Sequence, residues 1–406
     1  MKVLIEKLDH QGRGIAKIDN KPIFIPNSLP DEEVKIEIIK EKKKYSEGIV
    51  KEYIIKSKKR IDPKCPYFEL CGGCDLMNME YDDQAKYKEN KIKEIITKFT
   101  NISLEKIKPI IKCEQDFYRN KITLHNKNNL GYYSKRTNEI INIKKCLIVD
   151  NHINDVISKL NELKLDNIYE VIIRSSKNIK NTMIVLKIND DIDINYYVEN
   201  LKEYVDTIII YKNNKYIPIY NEGYIYETLG SYKFKISPDS FFQVNTFQTE
   251  KLYDEVKKSL EAIGNEKVLD LYCGTGTIGI YISECVKSVY GIEINKSAVE
   301  DAIENKKINN ISNIDFECLD ASLVKKIKND FDIIIVDPPR SGLDKNTIEY
   351  LLESKTEKII YVSCDPVTLA RDLNLLENKF ETEKITPVDM FPNTYHVECV
   401  CLLKRK

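Results

Sequence analysis

The sequence predicts an α/β protein built in three parts. A small OB-like β-barrel comes first, then a central α+β region, then a C-terminal doubly wound, Rossmann-like domain. Three observations predict this. Residues 267–279, KVLDLYCGTGTIG, join a short apolar run to Gly274, Gly276 and Gly279. That pattern reads as a buried parallel strand, a tight turn that lets backbone approach a ligand, and a helix start. Downstream of it, apolar β-branched runs alternate with polar periodic stretches, as in a doubly wound sheet. The first residues instead hold short strand-like segments divided by Gly and Pro turns, the mark of a small barrel. The expected divisions are 1–58, 59–230 and 231–406.

Composition narrows the classes. The chain has 406 residues and a net charge of −1, so overall charge predicts no polyanion binding and any RNA face must be local. No apolar run approaches the roughly 20 residues that span a bilayer, and the N-terminus lacks the apolar core of a signal peptide. The expectation is a soluble, cytoplasmic protein, working as a monomer away from membranes. Its eleven cysteines are then reduced, serving as ligands, reactive groups or core.

In the barrel region, strand-like segments fall at 3–5, 22–25, 33–39 and 47–53, five or so strands in all. Residues 40–60 carry nine Lys and Arg against three Glu. On this type of fold such a run reads as an RNA-backbone patch, with a solvated loop as the plainer alternative. Next, Cys65, Cys71 and Cys74 are spaced C-x5-C-x2-C around Gly72 and Gly73. A four-thiolate site needs one more ligand, for which Cys146 is the first candidate and Cys113 the second. Zinc and an iron–sulfur cluster both fit, and the single C-x-x-C pair favours [4Fe–4S]. Residues 81–100 are periodic and predict a helix. The region from 107 to 230 mixes strands with helical patches such as 151–163. Its Tyr118-Arg119-Asn120-Lys121 run could touch RNA or serve structure. A further helix opens in 236–245 and runs to about 263.

The chemistry lies in the last part. The glycine turn alone suits a dinucleotide or the nucleoside end of S-adenosylmethionine (SAM). Residues 289–293 read as a second strand ending in Glu293, a carboxylate able to bind ribose hydroxyls. Asp337-Pro338-Pro339-Arg340 and Ser363-Cys364-Asp365-Pro366 each follow an apolar run. A nicotinamide enzyme has no use for Cys-Asp-Pro at a strand end, whereas a base-modifying methyltransferase does. Uracil C5 is a poor nucleophile until a thiolate adds to C6, after which C5 takes the methyl group and a base removes its proton. Cys364 suits the thiolate, with the helix opening at 366 expected to lower its pKa. Glu398, interrupting an apolar terminal strand, suits the base, and His396, two residues away on the same strand face, is its rival. Cys273, Cys285, Cys318, Cys399 and Cys401 read as core. A D-P-P turn also occurs in methyltransferases acting on amino groups, which need no cysteine.

Together these residues resemble the RNA uracil-C5 methyltransferase family, the class containing the 23S rRNA 5-methyluridine enzymes. Residues 12–16, 24–26 and 29–32 resemble its TRAM domain. The segment from Cys65 to Cys74 resembles its [4Fe–4S] segment, which carries ligation onto Cys65, Cys71, Cys74 and Cys146. The resemblance places SAM contacts at Gln243, Tyr272, Glu293 and Asp337, beside the turn glycines Gly274 and Gly276. It makes Cys364 the nucleophile and Glu398 the proton acceptor. The family often has Asn where this chain has Asp365, and residues 151–225 match loosely. Bacterial tRNA-directed members typically lack both TRAM domain and cluster, so the resemblance implies 23S rRNA, with tRNA as the alternative. An amino-directed RNA methyltransferase and an RNA-binding assembly factor with a vestigial catalytic domain are the rival functions.

Overall fold

The computed structural model describes residues 1–127, 130–135, 137–327 and 330–406. Strands β1 (Lys2–Leu4), β2 (Lys7–Leu8), β3 (Gly14–Ile18), β4 (Lys21–Ile25), β5 (Glu33–Glu41) and β6 (Ser46–Ile55) form one six-stranded sheet, ordered β1-β5-β6-β4-β3-β2. Its alternating inward residues, among them Val3, Ile23, Ile25, Val34 and Ile36, make a separate small core. Much of the lysine run lies on the β5–β6 hairpin. There Lys40 and Lys51 pair with Glu47 and Glu37, so part of its charge is neutralised locally.

Helix α1 (Tyr81–Phe99) follows. Its stripe of Ala85, Ile92, Ile95 and Ile96 is buried with residues of the final sheet, although a whole sheet intervenes in sequence. That intervening sheet joins β7 (Lys121–Asn126), β8 (Leu130–Tyr133), β9 (Ile140–Asn142), β10 (Ile168–Ser175), β11 (Thr182–Ile188), β12 (Thr207–Lys212) and β13 (Lys215–Tyr220) in the order β13-β12-β11-β10-β7-β8-β9. Helices α2 (Asn151–Leu160) and α3 (Ile194–Leu201) pack on one face of it through Ile153, Val156, Ile157, Tyr197 and Leu201. Residues Met183, Val185 and Ile209 join the core of the C-terminal part. The hairpin β14 (Ile225–Leu229) and β15 (Tyr232–Ile236) enters the same core.

The last part alternates as predicted. It runs α4 (Thr246–Leu260), β16 (Lys267–Leu271), α5 (Thr277–Ile282), β17 (Ser288–Glu293), α6 (Lys296–Ile308), β18 (Ile314–Cys318), β19 (Ile333–Val336), α7 (Lys345–Glu353), β20 (Lys358–Ser363), α8 (Pro366–Leu376), β21 (Phe380–Val388) and β22 (Glu398–Arg405). The sheet order is β18-β17-β16-β19-β20-β22-β21, with only β21 and β22 antiparallel to their neighbours. The chain order reverses between β16 and β19, which is where open α/β sheets bind ligands. Helix α4 starts later than its sequence suggests because Asn245 caps it, accepting from the Gln248 amide at 3.3 Å.

One ionic contact fixes α1 to this part. Lys88 lies on the apolar stripe of α1, fully buried, and donates to Asp389 Oδ1 at 2.6 Å and to the Phe391 carbonyl at 3.0 Å. Removing one partner strands the other charge. We expect Lys88→Ala to lower stability by about 3–5 kcal/mol, read from the urea midpoint. The double variant Lys88→Met/Asp389→Leu should recover most of that loss.

Candidate active site

Strand register assembles the site. Leu271 pairs with Val336, Val336 with Tyr361, and Ser363 with Cys399. Tyr272 and Asp337 directly follow their paired residues on β16 and β19, and Cys364 follows Ser363 on β20, two residues beyond the level of Asp337. Since β22 runs the opposite way, its first residue, Glu398, stands at the same rim. On the other side of β16, Leu271 pairs with Ile292, which brings Glu293 beside Tyr272.

The turn after β16 is left-handed at three residues: Tyr272 (φ 64°), Gly274 (φ 55°) and Gly276 (φ 76°). A Cβ at Gly276 would meet the Phe316 ring at 2.5 Å. At Gly274 it would meet nothing within 4 Å, so there the backbone opens onto free space. Glu293 braces this turn. Its two oxygens accept from the Gly274 amide at 3.1 Å and the Asn295 amide at 2.8 Å, leaving lone pairs for hydroxyl donors. Ile294, directly after it, is 65% exposed, an apolar surface at the crevice mouth. Gln243 is buried in the loop before α4. Its carbonyl accepts from Asn120 Nδ2 at 3.2 Å, and Ser237 and Ser240 tie that loop to Asp301 of α6.

Acids crowd the rim. Asp270 and Glu398 are buried and Asp337 is half-buried, and loss of solvent raises their pKa values to about 8, 8 and 7. The Asp337 charge adds to the rise at Asp270 and Glu398, and Arg340 opposes it at Glu398. The Cys364 thiol is pushed up to about 12, first by burial and then by Glu398 and Asp337. This corrects the expectation that α8 lowers it. The first amides of α8 are already taken by Asp365, whose Oδ1 accepts from Val367 at 2.9 Å and Thr368 at 3.0 Å. Its carboxylate is itself one of the charges raising Cys364.

His396 does not lie on β22, so strand alternation does not apply to it. Burial and the nearby cations Arg340 and Lys91 hold its imidazole down to about 4, which makes it the weaker proton acceptor beside Glu398. Cys273, Cys399 and Cys401 are buried as expected and Cys285 is half-buried, but Cys318 is exposed at the end of β18.

Cys65, Cys71, Cys74 and Cys146 line one cavity of about 140 Å³, shared with Phe68, Met77 and Tyr132. Cys113 lies elsewhere, its Sγ 3.2 Å from the Asp389 carbonyl. Among the described residues no group of three or more His, Cys, Asp or Glu is set to hold a metal ion. The Tyr118–Lys121 run joins parts of the chain. Tyr118 Oη donates to the Pro392 carbonyl at 3.1 Å, and Asn120 Nδ2 donates to Gln243 and Thr246. Sequence reasoning missed Arg340 as a charge at the rim, and Lys88 and Lys91 on α1. A lysine on an apolar helix stripe was the available signal for Lys88.

The three raised carboxyls have a pH signature. Each keeps its proton in the fold and loses it in the unfolded chain between its ordinary pKa near 4 and its folded value. Their contribution to stability is therefore full below pH 4 and declines as pH rises towards 8. Urea midpoints should fall across that window, and less steeply in Glu398→Gln. The same variant removes a negative neighbour of Cys364, so alkylation of that thiol at pH 9, followed by peptide mass spectrometry, should speed up.

A family model described as tRNA (uracil-5-)-methyltransferase matches residues 80–406, and a TRAM domain model matches residues 1–51. An uncharacterised RNA methyltransferase of Clostridium tetani is 36% identical, aligned over 97% of this chain and 94% of its own. One of Halalkalibacterium halodurans is 35% identical over 100% of this chain and 97% of its own. Among solved structures, the Pyrococcus abyssi tRNA (uracil-54, C5)-methyltransferase in complex with S-adenosyl-L-homocysteine superimposes with a TM-score of 0.81. It is 27% identical and covers 99% of this chain and 100% of that one. With its glycine turn, its Cys364–Glu398 rim and its N-terminal barrel, the chain belongs to the tRNA (uracil-5-)-methyltransferase family of RNA methyltransferases and carries a TRAM domain.

Proposed function

We propose that this protein methylates uridine C5 in 23S rRNA, with SAM as donor, through a covalent bond between Cys364 and uracil C6. The observation that carries the reading is the register that sets Cys364 against Glu398 beside Asp337. The open left-handed turn at Gly274 fits the donor's close approach to backbone. Glu293 would take its ribose hydroxyls and Ile294 one face of its adenine, with Gln243, Tyr272, Gly276 and Asp337 completing the donor site. Uridine in folded RNA must be splayed from its neighbours to reach the rim, so loops are the targets.

The chemistry follows from the residues. Cys364 loses its proton to solvent, to be recovered when Sγ leaves, and Sγ adds to C6, so the C5–C6 π electrons pass to C5 and the carbonyl. C5 then forms a bond to the donor's methyl carbon as the carbon–sulfur bond of the donor breaks. Glu398, as carboxylate, takes the C5 proton. The C5–C6 double bond re-forms and Sγ leaves. One proton is released per methyl group transferred. At neutral pH both Cys364 and the raised Glu398 start mainly protonated, so kcat/KM should rise steeply with pH up to about 8, where Glu398 ionises, and less steeply beyond it as more of Cys364 ionises.

We propose further that Cys65, Cys71, Cys74 and Cys146 hold a [4Fe–4S] cluster. Four thiols round a single cavity, rather than gathered at one point, suit a cluster better than a lone zinc ion. When bound, the cluster would cross-link the 65–74 loop to residue 146. Iron and sulfide analysis after anaerobic purification checks this, and a colourless zinc protein would overturn it.

A second substrate, tRNA, is favoured by the match to the Pyrococcus abyssi tRNA enzyme, which spans the barrel as well as the catalytic part. The barrel alone therefore does not separate the two RNAs. Transfer of labelled methyl groups to 23S rRNA and tRNA transcripts decides between them. Cys364→Ala should abolish transfer while SAM binding persists. With 5-fluorouridine in the transcript, a methylated RNA adduct should be trapped on the Cys364 peptide, because fluorine at C5 cannot leave as a proton. Transfer without an adduct would favour amino-directed chemistry, and no transfer to either RNA would favour an assembly factor.

A further inference from the structure

We propose that Asn393 is a positioning residue for Glu398, holding the entry of β22 against the cysteine loop. The proposal rests on Glu398 being the proton acceptor. Asn393 lies five residues before Glu398, in the stretch 389–397 that joins β21 to β22 without regular structure. It is 2% exposed and left-handed, with φ 67°. Asn tolerates that backbone better than most residues.

Every polar group of Asn393 is engaged, with three different segments. Its carbonyl accepts from the amides of Asp75 at 2.8 Å and Leu76 at 2.9 Å, the two residues directly after Cys74. Its amide donates to Gln84 Oε1 at 3.0 Å, and its Oδ1 accepts from Gln84 Nε2 at 3.3 Å. Its Nδ2 donates to the Gln115 carbonyl at 3.1 Å. Gln84, fully buried on α1, is anchored in turn to the Met79 carbonyl. Neighbouring groups work in the same direction. The Tyr395 carbonyl accepts from Lys91 Nζ at 3.0 Å, and the Tyr395 amide faces the Asp75 carboxylate.

An irregular stretch has no ladder of its own, so contacts made from outside set where it lies. Here they are made by the cysteine loop and α1. A change in either would move residues 393–395, and through them the carboxylate of Glu398 relative to C5. General-base transfer is sensitive to such shifts, with a displacement of about 1 Å costing up to roughly a hundredfold. Methyl transfer from the donor to C5 does not need Glu398. The step that should slow is therefore proton removal.

The test uses the full-length protein, SAM and the transcript that the wild type methylates. Asn393→Gly keeps the left-handed backbone and the main-chain bonds, and deletes the side-chain bonds to Gln84 and Gln115. Gln84→Ala removes both Gln84 bonds, to the Asn393 amide and to its Oδ1, from the side of α1 and guards against poor folding of the first variant. Both should lower kcat about 10- to 100-fold and KM for RNA in proportion, leaving kcat/KM and SAM affinity unchanged, and both should accumulate methylated RNA linked to Cys364 during turnover. Slow turnover without the adduct, or wild-type turnover in both variants, would overturn the positioning role. Glu398→Gln separates the two claims. An adduct there but not in the Asn393 and Gln84 variants sinks the positioning role alone, and no adduct in Glu398→Gln sinks Glu398 as the acceptor.

Discussion

The site depends on one reversal of strand direction. β16, β19 and β20 run parallel and deliver their carboxyl ends to the rim. A further parallel strand would bring only another carboxyl end. Because β22 runs against β20, it delivers its first residue instead, and the pairing of Ser363 with Cys399 leaves Glu398 across from Cys364. The flanking residues Tyr361, Val362, Val400 and Cys401 are fully buried on alternate faces, so this register has no room to slip: a one-residue shift would exchange side chains between two differently packed cores. The same burial removes water from the carboxyl groups and raises their pKa values.

What was legible in the sequence follows from locality. The glycine turn, the strands of the last sheet and the Cys-Asp-Pro strand end are short patterns whose meaning travels with them. Glu398 was legible because a carboxylate in an apolar run has few innocent explanations. The grouping of Cys146 with Cys65, Cys71 and Cys74 followed from family resemblance and from the need for a fourth thiol, not from anything adjacent to Cys146. Contacts that depend on distant packing were not legible. α1 reads as an ordinary amphipathic helix, yet its stripe is buried against a sheet that begins long after it. The Tyr118–Lys121 run has the composition of an RNA contact, but Tyr118 and Asn120 are spent on Pro392, Gln243 and Thr246.

The Cys364 thiol is the instructive miss. A cysteine just before a helix suggests a lowered pKa, because unpaired amides favour a thiolate. That inference assumes the amides are free. Asp365 both caps α8 and brings a charge of the same sign, so a single residue cancels the helix effect twice. An Asn at that position would cap without the charge. Asp365 therefore makes the Cys364 thiol harder to ionise.

The crowding of acids also orders the reaction. With Asp337 close enough to raise both Asp270 and Glu398, the site favours whatever cancels negative charge, either protons or a cationic ligand. A sulfonium donor is such a cation. Its charge would lower the proton affinity of the carboxylates and keep Glu398 ionised before transfer. Methyl transfer turns the sulfonium into a neutral thioether, and the cancelling charge disappears. The proton affinity of Glu398 then climbs back, at the point where the proposed mechanism has it take the C5 proton. On the proposed mechanism, the buried position of Glu398, costly for a resting carboxylate, thus lets its strength as a base follow the progress of the reaction.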